Sequence, residues 1–126
     1  MENERSTLIR IGNRDYEMLL TTKATKEIAR RYGGLDKLGD KLLQNENLAE
    51  ALDELVWLIT LLVNQPIQIH NLYSEEKQEL LNAETVELLT APYDLADYRE
   101  CLMDCLTKGM KRNVESEPDG KNLVAG

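Results

Sequence analysis

The sequence of 126 residues has no phenylalanine, one tryptophan, one histidine and two cysteines. With so few large aromatic rings, Leu, Ile and Val must fill most of the interior. Leu is the commonest of these, which leans the chain toward helix. Two cysteines are too few for a disulfide framework. No apolar run follows the charged opening "MENER", so no signal peptide is expected. The longest apolar-rich segment, Leu55 to Val63, is too short to span a bilayer, so a soluble cytoplasmic protein without membrane contact is expected. Basic residues are scarce where they would matter for nucleic acid. Residues 46–105 hold two Lys/Arg against thirteen Asp/Glu, a net −11 within a total of −8. A body of that sign repels phosphate backbones, so no nucleic acid partner is expected.

What is present suits one domain over residues 1–112, with 42% hydrophobic residues for a single core. The first segment alternates. Ile9 and Ile11 share a face opposite Arg10, Tyr16 and Met18 share one opposite Asp15 and Glu17, and Gly12-Asn13 lies between them. This predicts a β-ribbon over residues 7–20, which must lean on helices or on another chain. Thr22 reads as an N-cap, and Ala24, Ile28 and Tyr32 recur at helical spacing up to Gly33-Gly34. Leu35, Leu38 and Leu42 mark a short second helix.

Asn47 can cap the strongest helix, with Leu48, Leu52, Leu55, Ile59 and Leu62 on one line and Asn64-Gln65-Pro66 as its expected end. Residues 66–73 then read as a loop or short extended stretch. Ser74, followed by Glu75 and Glu76, reads as the start of a helix bearing Leu80 and Leu81. A further short helix carries Val86 and Leu89. Ala91-Pro92 breaks the chain, and a last helix is expected over Leu95–Lys111, followed by a disordered tail over 113–126. The predicted fold class is mainly α, a small domain of five or six helices with an N-terminal β-hairpin.

Chemistry-bearing patterns are weak. Gly34 to Lys41 spaces two glycines like a phosphate loop, but Asp40 stands at the lysine position and a helix, not a strand, precedes it. Helix punctuation is the better reading. Cys101 and Cys105, at i and i+4, could join His70 as metal ligands, but a structural zinc site wants four, and small core residues fit better. No Glu-x-x-His pair or nucleophile–base pair can be named, so no catalytic residue, metal or cofactor is assigned and no enzyme is expected. The long apolar helix is richer in possibilities. Trp57 and Leu61 lie on a flank away from its main line, and Ile67, Ile69 and Tyr73 follow beyond its expected end. These five are the candidate partner-binding residues.

The order of features also carries a resemblance over roughly residues 7–112. "IRIGNRDYEMLLTT" leads into "TKEIARRYGGLDKL", then "LDELVWLITLLVNQ", an acidic "SEEKQELLNAETVELL", "APYDLADY" and a last helix ending "KGM". Together these resemble the tail assembly chaperones of long-tailed phages and prophages of Gram-positive hosts. The resemblance implies a non-enzymatic factor in the host cytoplasm, absent from the mature virion. Such a factor keeps the apolar tape-measure protein soluble and helps recruit the major tail (tube) protein. It also implies self-association and, in many members, a longer frameshifted form. The competing reading from charge alone is a small acidic adaptor or inhibitor that covers a basic partner surface.

Overall fold

The computed structural model describes residues 5–38 and 47–121, with side chains as far as residue 110. It is mainly α, with an N-terminal two-stranded hairpin, as the periodicity predicts. Strand β1 (Ser6–Ile11) pairs antiparallel with β2 (Arg14–Leu19), Ile9 opposite Tyr16 and Thr7 opposite Met18. Gly12-Asn13 closes the hairpin with φ of +67° at Gly12 alone, the sign pattern of a type II′ turn. The alternation has a direct physical outcome. Ile9, Ile11 and Met18 are buried, whereas Leu8, Arg10 and Glu17 face out.

Helix α1 (Thr22–Tyr32) is capped by Thr21, one residue earlier than expected: its hydroxyl accepts from Ala24 N at 3.0 Å. Thr21 wins because its backbone is extended, as an N-cap must be, while Thr22 already has helical geometry. Gly33 ends the helix in the left-handed region, its N–H bonded to Ala29 O at 2.8 Å, so the glycine pair is a stop signal. Residues 35–38 are helical and bury Leu38. Leu42, the rest of the expected second helix, and Gly39 to Lys41 of the phosphate-loop pattern lie outside the described residues.

Helix α2 (Leu48–Tyr73) is the spine, capped by the Asn47 side chain at Glu50 N. Leu55, Leu58, Ile59, Leu62 and Val63 are buried along it. It does not stop at Asn64-Gln65-Pro66 but continues seven residues past the proline, for a length of roughly 39 Å. A proline removes its own N–H from the ladder and crowds the carbonyl one turn back, and the buried Gln65 side chain adds a donor to the neighbouring Leu61 O (2.9 Å). Ser74, expected to start a helix, caps the end of this one, its N–H bonded to His70 O.

Residues 74–82 are consequently non-helical, and the helix expected to carry Leu80 and Leu81 does not form. Ser74 Oγ accepts from Glu76 N in a tight local turn, and the segment then runs back along α2. Two asparagines hold it. Asn64 Nδ2 donates to Leu81 O at 2.8 Å while Leu81 N donates to Asn64 Oδ1 at 2.9 Å. Asn71 pairs with both backbone groups of Gln78 in the same way, at 3.0 and 2.9 Å. The spacing is metrically consistent: two helical turns span roughly 10 Å, as do three extended residues.

Helix α3 (Ala83–Leu89), capped by Asn82, buries Val86. A 3-10 turn over Pro92–Asp94 leads into α4 (Leu95–Lys121). The latter buries Leu102, Cys105 and Leu106 and runs helical ten residues past the expected end at Lys111. The tail expected over 113–126 therefore overlaps helical backbone as far as 121, since extending an established helix is far easier than nucleating one. Residues 122–126 lie outside the described residues.

The hairpin leans on helices within its own chain. β2 packs on α2, and β1 packs on α4. Thr7 Oγ1 donates to Asp104 Oδ2 at 2.8 Å, and Lys108 Nζ to Ser6 O at 3.1 Å. Buried Gly109 makes this approach possible, because a Cβ there would stand 2.7 Å from Leu20 Cβ.

Candidate functional site

The five candidate residues divide into two groups. Trp57, Leu61 and Ile67 are half-buried and pack against the core. Trp57 is engaged within the molecule. The Tyr32 ring meets it edge-on at 6.0 Å between centroids, and the Arg31 guanidinium stacks over it at 4.4 Å. Glu54, one helical turn's edge away, receives Arg31 Nε at 3.1 Å and the Tyr32 hydroxyl. Burial, with the adjacent Glu54, pushes the Tyr32 phenol well above its ordinary range. For Arg31, burial acts downward, but the hydrogen bonds and charges of Glu54 and Tyr32 outweigh it and raise the guanidinium. This cluster fastens the end of α1 to α2. Ile67 lies on another side of α2, beside Arg14, Tyr16 and Leu81.

Ile69 and Tyr73 differ, being exposed at 37% and 86%. Because α2 continues through Pro66, they are helical rather than in a loop, and they prolong its core-facing row: Leu58, Leu62, Ile69 and Tyr73 follow at spacings of four, seven and four. Leu72, beside them, is 77% exposed. Among the described residues, the spine's apolar row thus runs on past its buried part, which ends at Gln65. Leu72 was not among the sequence candidates, since a loop reading gave it no face to share.

A second apolar surface was not legible in the sequence. A cleft of about 310 Å³ opens where α2, α3, the 3-10 turn and α4 meet. Its floor is one ridge of α2, with Leu52, Val56 and Ile59, and its far wall is Ala91, Pro92 and Tyr98. The Tyr98 hydroxyl accepts from Ala91 N at 3.2 Å and faces Asp94 Oδ2 at 3.5 Å, which fixes the ring as a partition. Burial raises the Tyr98 phenol and Asp94 adds to this, while the Ala91 bond opposes it. Beyond the ring, a second hollow shares Ala91 and Tyr98 and is bordered by Asp94 and Asp97. The signal available in sequence was the Ala91-Pro92 break, which turns the chain and leaves room beside α2.

The groups weighed for metal or nucleophilic chemistry are engaged elsewhere. His70 Nε2 lies 3.1 Å from Glu76 O, at the turn that starts the returning segment. Cys101 and Cys105 are free thiols on α4. Burial, reinforced by Asp104, pushes the Cys105 thiol up to about 12, and Cys101 is raised for the same reason. Such thiols are protonated at neutral pH and poor nucleophiles. Among the described residues no three His, Cys, Asp or Glu side chains converge as metal ligands, and no helix is long and apolar enough to cross a membrane.

Fold and surfaces together define a small, mainly α domain whose described residues expose apolar groups beside many acidic ones. Compared with known proteins, the chain matches no family model, no curated protein and no solved structure.

Proposed function

We propose that this protein is a non-enzymatic assembly chaperone of the phage tail type, holding the long helical tape-measure protein soluble while tail-tube subunits are recruited around it. The observation that carries the reading is the uncovered end of α2, where Ile69, Leu72 and Tyr73 extend a core row into solvent. An unfinished apolar helix face of this kind is suited to a partner's apolar helix. The acidic middle of the chain supplies the complementary property, keeping a protein with exposed apolar groups dispersed. Weak apolar sites, repeated along a long partner by many chaperone copies, give exchangeable binding that the closing tube can displace. The order of sequence features described above supports the same reading.

The test is co-expression with tape-measure fragments. The wild-type chain should keep them in the soluble fraction. Ile69→Ser with Tyr73→Ser should lose most of that effect while leaving the melting temperature nearly unchanged, because neither residue is buried. Unchanged capture by the double variant would remove the helix end from the mechanism. Binding that collapses with salt and ignores the double variant would instead favour an acidic adaptor covering a basic surface, the reading that the 46–105 charge excess supports.

A further inference from the structure

We propose that the cleft between α2, α3 and α4 is the docking site for an amphipathic helix of a partner chain, one whose apolar stripe is flanked by lysine or arginine. The occupant's character follows from what lines the cleft. Its floor presents Ala49, Leu52, Val56 and Ile59 at spacings of three, four and three along α2, a helical ridge beside an empty groove. Another helix's ridge fits such a groove. A peptide adding as a β-strand does not, because it needs an unpaired backbone edge. The described backbone N–H groups at the Thr90-Ala91 border offer no such edge. Thr90 N donates to Val86 O at 3.1 Å, and Ala91 N donates to the Tyr98 hydroxyl.

The lining equally disfavours a small polar ligand. Thr90 Oγ1 donates to Val86 O at 2.7 Å and the Tyr98 hydroxyl donates toward Asp94, so neither hydroxyl proton of the described lining residues is left for a ligand. The charged groups among the described lining residues are Asp53 on the α2 wall and Glu87 on the α3 wall, one on each side, with no Lys or Arg among them. Opposite walls of one sign around an apolar floor call for a helix with an apolar stripe and cations on both flanks.

The proposal deepens the assembly-chaperone reading by naming a second contact on the same protein, yet it can be tested without any phage component. Two synthetic amphipathic helices of about 18 residues would share one Leu/Ile/Val stripe, flanked by Lys in one peptide and by Glu in the other. Each is titrated into the full-length protein, and binding is followed by amide NMR shifts and by fluorescence anisotropy. The Lys-flanked helix should bind roughly ten-fold or more tighter at low salt, shifting Leu52, Val56, Thr90 and Tyr98. Asp53→Asn with Glu87→Gln should erase most of that preference. Both acids are exposed, so the variant should fold as wild type, with circular dichroism as the check. Equal binding of the two peptides, or shifts confined to Ile69, Leu72 and Tyr73, would overturn the proposal. Concentration-dependent shifts of the cleft amides without peptide would overturn it too, by making a second copy of the chain the occupant. Tape-measure capture with a silent cleft would sink only this inference. Cleft binding without tape-measure capture would sink only the chaperone reading.

Discussion

Cys105 and Asn64 show how single buried side chains act here. The Cys105 thiol is fully buried and its pKa stands at about 12 against an ordinary 9.0. Folding therefore favours the neutral thiol. Its contribution to stability is complete below pH 9 and is lost as pH rises from there toward 12. Urea midpoints measured over that window should fall, and less steeply in Cys105→Ala, with Tyr32 supplying part of what remains. Asn64 acts through geometry. Replacing it by Ala leaves both backbone groups of Leu81 without their partner and should cost about 2–3 kcal/mol in urea unfolding. Asn64→Asp separates the two bonds. Its carboxylate can still accept from Leu81 N but opposes Leu81 O. Relative to wild type this variant should gain stability on acidification, when the carboxyl can donate again. These asparagines stood in the sequence seven apart on an apolar helix, and that spacing was the available sign of a returning strand. The spacing is ambiguous, because asparagine shortly before a proline is also an ordinary helix stop.

At the level of elements, local signals succeeded where the local choice was the final one. The Gly12-Asn13 turn, the Asn47 cap and the Gly33 stop all use groups within a few residues, so their chemistry is written in short windows. Pro66 and Ser74 failed as signals because each had two permitted roles. A proline can sit in a helix whose neighbours hold it, and a serine can close one helix as well as open another. The core row of α2 continues through the proline, and tertiary burial of Asn64 and Gln65 outweighs one missing backbone bond. Pro66→Ala restores an N–H to Leu62 O and should stabilise the protein by about 1–2 kcal/mol, after the looser unfolded chain offsets part of the gain. An unchanged or lowered urea midpoint would show that the helix is already relaxed around the ring. Trp57 carries the complementary lesson. On a helical wheel it is a flank residue free for a partner, but Arg31 and Tyr32 arrive from α1 and cover it. Contacts of that kind depend on how two helices cross, which no spacing within one helix states.

The whole molecule combines a strongly acidic middle segment with apolar surface that stays exposed among the described residues. With a sequence pI of about 4.7, the repulsion that keeps those faces apart vanishes near that pH. Light scattering of the purified protein should rise to a maximum close to pH 4.7 and fall again on either side. Ile69→Ser with Tyr73→Ser should lower that maximum, because it removes apolar area without altering charge. The amino-acid sequence by itself determined the hairpin, the mainly α class, the buried rows of the helices and the charge of the middle segment. Each of these is fixed by residue type at short range, through alternation, helical period, caps and simple summation. Only the tertiary structure decided that the apolar row of α2 runs on past its buried part, that residues 74–82 return as a strap along that helix, that Trp57 is covered and that an acid-edged cleft lies beside Tyr98. Those features arise where distant segments meet, and their position depends on helix crossing and on which of several permitted local roles the packed core selects.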